Sequence, residues 1–127
     1  MTMTWENFTR DEFACQCGCG TNEIQDGIID VLQEIREVYG KSMRITSGYR
    51  CANHPIERVK SRPGTHNLGL AADVGVSHAD GFRLLQVAMG HPDITGVGVN
   101  QKGSGRFIHL DIVEGNEHIS RPSIWSY

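Results

Sequence analysis

Apolar residues at Ile24, Ile28, Val31, Leu32, Ile35 and Val38 recur at helical spacing. Thr21 or Asn22 is placed to cap the start of that helix, and Gly40 stands where a helix C-terminus favours glycine. A second helix is predicted from about Ala79 to Met89, with Phe82, Leu85 and Met89 on one face. Met43 to Thr46, Leu70 to Val76, the Val97/Val99 pair and Phe107 to Val113 read as strands. Gly103-Ser104-Gly105 marks a turn. Residues 47–69 carry Gly, Pro, Asn and His without a period, which predicts a long loop, and loops of that length in a compact domain are usually functional. Phe8 and Phe13 pin an otherwise irregular segment 1–22, and the residues after Glu114 read as a polar tail. Two helices among short strands predict a single α+β domain over residues 1–127.

Composition narrows the function classes. The 127 residues are 39% apolar, enough to build a core without disulfides. Twelve basic and fifteen acidic residues give a net charge of −3, which argues against nucleic acid as the main partner. Apolar runs reach only about four residues, far short of the roughly 18 that span a bilayer. The first residues, MTMTWENFTRDEF, contain no readable secretory signal, so synthesis in the cytoplasm is expected. A substrate outside the cell then requires another route of release.

Cys15, Cys17 and Cys19 alternate, and Cys51 follows at a distance. A four-thiolate zinc site is one reading, although such sites usually space their cysteine pairs by two to four residues. The other is a disulfide, or plain reduced thiols, joining the N-terminal segment to the loop at Cys51.

Strand parity is more informative. In Phe107-Ile108-His109-Leu110-Asp111-Ile112 the apolar residues Ile108, Leu110 and Ile112 face one way, and His109 and Asp111 face the other. In Leu70 to Val76, Asp73 points away from Leu70, Ala72, Val74 and Val76, between the small residues Ala71 and Gly75. If the two strands pair, Asp73 and His109 become neighbours. His66, near the end of the long loop, completes a three-ligand set of the kind found in catalytic zinc sites. The plain alternative is a solvated loop histidine and an aspartate that bonds a turn.

Ser47-Gly48-Tyr49-Arg50-Cys51, then His66-x-x-Gly69-x-Ala71-x-Asp73, then Phe107-Ile108-His109-Leu110-Asp111 resemble the M15 family of zinc D,D-peptidases. That group includes D-alanyl-D-alanine carboxypeptidases, phage endolysins and the hedgehog-type signalling domain. Glu12-Phe13-x-Cys15-x-Cys17-Gly18-Cys19 is similar to its phage and prophage branch. The likeness runs from about residue 8 to 113. It implies a small, mostly antiparallel sheet with helices on one face and a zinc site on the other. It further implies that His66, Asp73 and His109 hold one catalytic zinc and that Arg50 binds a substrate carboxylate or carbonyl, a task suited to a guanidinium fork. A salt bridge bracing the loop is the other reading of Arg50.

The chain departs from the family pattern at two places. Gly64 stands where a serine often precedes the first histidine, at a position that is not a ligand. Relatives place an acid three residues before the last histidine, or a histidine two before it; here those positions hold Arg106 and Phe107, neither able to accept a proton. Asp111, roughly 7 Å along the strand from His109, is then the candidate general base or the partner that orients a ligand histidine. Glu114 and His54 are the other candidates. The implied activity is zinc-dependent hydrolysis of D-amino-acid-containing peptides of bacterial peptidoglycan by a monomer, released from the cell or carried in a phage particle. A zinc-binding phage protein without hydrolysis, and an interaction module built on a cysteine-bound zinc, are the alternatives.

Overall fold

The computed structural model describes residues 4–127, so the first three residues of the N-terminal segment lie outside the described residues. Two helices, α1 (Asp26–Tyr39) and α2 (His78–Met89), accompany five strands: β1 (Arg44–Ser47), β2 (Ala71–Gly75), β3 (Gly96–Asn100), β4 (Phe107–Asp111) and β5 (Ser123–Ser126). The strands form one mixed sheet in the order β1-β2-β4-β3-β5, antiparallel throughout except for the parallel β3–β5 pair. The expected α+β class is the one observed.

One face of the sheet carries the core. Ala72 pairs with Leu110 and Val74 with Ile108, and Val97 lies beside Leu110 on the next strand. These side chains pack with Ile28, Ile29, Leu32 and Ile35 of α1 and with Leu84 and Ala88 of α2. Burial of such side chains contributes about 1.5–3 kcal/mol each. It therefore fixes the register that the polar face inherits.

Three details differ from the pattern read along the chain. Helix α1 starts after Gln25, not at Thr21 or Asn22, and the Asn22 side chain instead accepts a hydrogen bond from the Ile24 backbone N–H. Ile24 is buried just ahead of the helix, and Val38 faces solvent. Helix α2 buries Gly81, Leu84 and Ala88 rather than the predicted stripe, leaving Phe82 66% and Met89 56% exposed. The buried face centres on Leu84 between Gly81 and Ala88, and Leu85, the middle residue of the predicted stripe, packs against the core only in part. The tail that reads as polar contributes β5, whose residues alternate between half-buried and exposed.

The N-terminal segment is held from several sides. Phe8 and Phe13 are buried as expected, Trp5 donates to Asp30 of α1 at 2.8 Å, and residues Arg10–Phe13 form a single 3-10 turn. The Phe13 carbonyl accepts from the Tyr49 N–H at 2.8 Å. That bond ties the segment to the start of the 47–69 loop.

Candidate metal centre

Ser47, Asp73, His109, Gly98 and Trp125 occupy one cross-strand row that runs over all five strands. Side chains in such a row lie on the same face of the sheet, opposite the core. Asp73 and His109 are direct partners in the β2–β4 ladder, as the parity argument required. His66 reaches them from the long loop, and its ring is 5.0 Å from that of His109.

The three side chains are buried, and one donor atom from each lies within 4.8 Å of the others. His66 Nδ1 donates to the Gly48 carbonyl at 2.8 Å, which leaves Nε2 turned toward Asp73 Oδ1 at 3.3 Å. His109 Nδ1 lies 3.1 Å from the same carboxylate oxygen. Burial alone pushes the Asp73 carboxyl up, but the bonds from His109 and His66 outweigh it and hold the group ionised. For His109, burial disfavours the charged ring, whereas Asp111 and Asp73 on its two sides favour it, and the net shift is upward. Two imidazoles and a carboxylate converging on one point, with a cavity on the remaining side, are a donor set that suits zinc.

Asp111 stands behind His109, away from that cavity. It is fully buried, with Oδ2 accepting from His109 Nε2 at 2.7 Å. Arg121 grips both carboxylate oxygens, Nε to Oδ1 at 3.0 Å and the terminal nitrogen to Oδ2 at 2.7 Å. Burial raises the Asp111 carboxyl, yet the bonds from His109 and Arg121 pull it down to about 2. A side chain at residue 96 would collide with this carboxylate, and one at residue 98 would come within 2.5 Å of the Trp125 ring nitrogen. The glycines of Gly96-Val97-Gly98-Val99 thus clear the polar face while the valines fill the core.

The cavity measures about 560 Å³ and lies between the loop and the sheet. Arg50, Arg121, Phe107, Trp125 and Tyr127 wall it beside the three buried donors. Arg50 is held by Ser47 Oγ at 3.1 Å and faces Asp73 at 3.6 Å and Glu57 at 3.7 Å. Both readings of this arginine therefore have a geometric basis, since it braces the loop and also fronts the cavity. Glu114 is exposed, and neither it nor His54 contributes to the cavity wall. Arg121, Trp125 and Tyr127 escaped the sequence reading because they sit in the apparent tail. The available signal was the pair of large apolar residues Ile124-Trp125 behind Pro122.

The family model described as Peptidase M15 matches residues 6–111. The chain belongs to the peptidase M15 family. The matched span holds Arg50 and all three converging donors, and it stops at Asp111, short of Arg121 and Trp125. M15 enzymes are metallopeptidases that use zinc, and the buried His66, Asp73 and His109 donors of this chain could hold a metal ion. No curated protein matches the chain. No helix among the described residues is long and apolar enough to cross a membrane.

Proposed function

We propose that this M15 peptidase hydrolyses peptide bonds in the stem or cross-bridge of bacterial peptidoglycan, with one zinc held by His66, Asp73 and His109. The observation that carries the reading is the convergence of these three donors on the floor of a cavity walled by Arg50 and Arg121. A bound zinc supplies Lewis acidity toward a peptide carbonyl and toward water. The protein's own groups supply the rest. The Gly48 carbonyl fixes the His66 tautomer, so that Nε2 is the free donor. Asp111 fixes His109 in the same way by accepting its Nε2–H, which leaves Nδ1 for the metal.

Asp111 is thereby a positioning residue. Its oxygens are committed to His109, Arg121 and the Val113 N–H, so the role of general base expected from its place on the strand does not suit it. Arg50 fronts the cavity with a guanidinium suited to a substrate carboxylate. Replacing it in Arg50→Ala is expected to keep the zinc and raise KM. An unchanged KM reduces Arg50 to a brace of the loop.

The direct test is digestion of purified peptidoglycan by the zinc-loaded protein, with and without a chelator, and mass spectrometry of the fragments. Chelator-sensitive release of new amino termini is expected, and the fragments distinguish a carboxypeptidase from an endopeptidase. A second reading, a peptidoglycan-binding protein that keeps the metal without hydrolysis, draws on one observation: Asp73 is the sole carboxylate among the residues that wall the cavity. Bound zinc with no new amino termini would favour that reading.

A further inference from the structure

The four cysteines form a second compact donor group that shares no residue with the first. We propose that Cys15, Cys17, Cys19 and Cys51 bind a second zinc ion in an all-thiolate site, which clips the N-terminal segment to the loop that carries Arg50 and His66.

The spacing of the sulfurs is the first argument. All four Sγ atoms lie within 4.8 Å of one another, and Cys17 is 3.5 Å from Cys15 and 3.4 Å from Cys51. A zinc–sulfur bond of about 2.3 Å in tetrahedral geometry sets neighbouring sulfurs about 3.8 Å apart. A disulfide holds them at about 2.05 Å, and all four thiols are free. The group is one cluster of four, with no division into two bonded pairs.

The backbone around the sulfurs is the second argument. The Cys51 N–H donates to Cys15 Sγ at 3.3 Å, and the Thr21 N–H donates to Cys19 Sγ at 3.3 Å. Hydrogen bonds of this kind stabilise the thiolate over the thiol, and the thiolate is the metal ligand. A chain that presents cysteines at alternate positions to one point must also coil tightly between them. Gly18, between Cys17 and Cys19, and Gly20, directly after Cys19, supply the turns with φ of +93° and +73°, in space where a side chain would meet nothing. The glycines are therefore required by backbone conformation and not by packing.

Burial divides the group in two. Cys15 and Cys51 are buried and anchor the cluster to the core, whereas Cys17 and Cys19 are exposed and lie on the side from which an ion arrives. Four thiolates in tetrahedral array select zinc over the hard divalent cations. Binding exchanges the thiol protons for the metal, so protons are released to solvent as the ion is taken up. The clip acts on the candidate metal centre through the chain: Cys51 follows Arg50, the Arg50 N–H bonds the His66 carbonyl, and the Cys15 N–H bonds the Thr21 carbonyl. An ion there holds together two segments that are otherwise joined by few regular hydrogen bonds.

The test is the metal content of the full chain purified under reducing conditions, for the wild type, Cys17→Ser/Cys19→Ser and His66→Ala/His109→Ala. Because Cys17 and Cys19 are exposed, their replacement leaves the core intact. Two zinc ions are expected in the wild type and one in each double variant. Cobalt(II) substitution adds a readout independent of activity. A thiolate-to-cobalt charge-transfer band is expected in the wild type and in the histidine variant, and none in the cysteine variant. Equal zinc in the wild type and the cysteine variant, or a wild-type cobalt spectrum without the thiolate band, overturns the proposal. Failure of the reading for His66, Asp73 and His109 has a different signature, a zinc content unchanged in the histidine variant.

Discussion

The donor atoms of both groups in this protein converge within 4.8 Å, yet the groups are built in opposite ways. His109 and Asp73 are ladder partners on neighbouring strands, so their approach follows from sheet register, and the register follows from the core on the far side. The cysteines come from turns and a loop, and two glycines with left-handed backbone make their convergence possible. A group fixed by register is rigid before any ligand arrives, which suits chemistry that depends on geometry. A group fixed by turns needs its ion to hold it, which suits a clip.

The largest expected effect separates ligand from scaffold. His109→Ala is expected to remove zinc from the histidine–aspartate centre and abolish hydrolysis while the cysteine group keeps its ion, as metal analysis and peptidoglycan digestion would record. Its neighbour Leu110 faces the other way and is fully buried. Leu110→Ala should cost about 2–5 kcal/mol of stability in denaturant titration, with zinc affinity retained by the folded fraction. A loss of affinity in that variant as large as in His109→Ala would contradict the division of the sheet into a structural and a functional face.

A smaller effect tests the support behind the ligand. Asp111→Asn keeps the shape but weakens the acceptor that orients His109, and zinc affinity should fall about 10–100-fold. If Asp111 acted instead as the general base, affinity would hold and kcat alone would fall.

The smallest effect concerns acid. The Asp111 carboxyl is lowered to about 2 in the folded protein by His109 and Arg121, against an ordinary value of about 3.9. Its contribution to stability is complete above the ordinary value and is lost as pH falls through the lowered one. Chelator-treated protein should therefore lose stability between about pH 4 and pH 2, and Asp111→Asn should flatten that slope in urea titrations. An identical slope in the variant would assign the acid sensitivity to other carboxylates.

Much of the centre was legible in strand parity alone. Two-residue periodicity in Phe107 to Asp111 and in Ala71 to Gly75 puts His109 and Asp73 on the polar face, because a one-residue slip would turn them into the apolar core and turn the core side chains out of it. Helix α1 was legible for the same kind of reason, with Ile28, Leu32 and Ile35 on one buried stripe. The span of helix α2 was legible too, but its buried face was not, since the residues it buries include Gly81 and Ala88, which carry too little hydrophobic signal to outweigh Phe82 and Met89.

The sequence by itself determined the α+β class, the polar and apolar faces of the central strands, and the place of Asp73 and His109 on the polar one. Those properties depend on local periodicity, which each segment carries within itself. Only the tertiary structure decided what surrounds them. Arg121 occupies Asp111, Trp125 lies beside His109 at 5.0 Å between ring centres, and Cys51 joins three cysteines from the other side of α1 in the chain. Each of these contacts joins segments that are distant in sequence or face each other only through a third element, and no local pattern encodes such a meeting. The pairing of β5 with β3 sets the place of Arg121 and Trp125, and that pairing in turn rests on a core to which the tail contributes little.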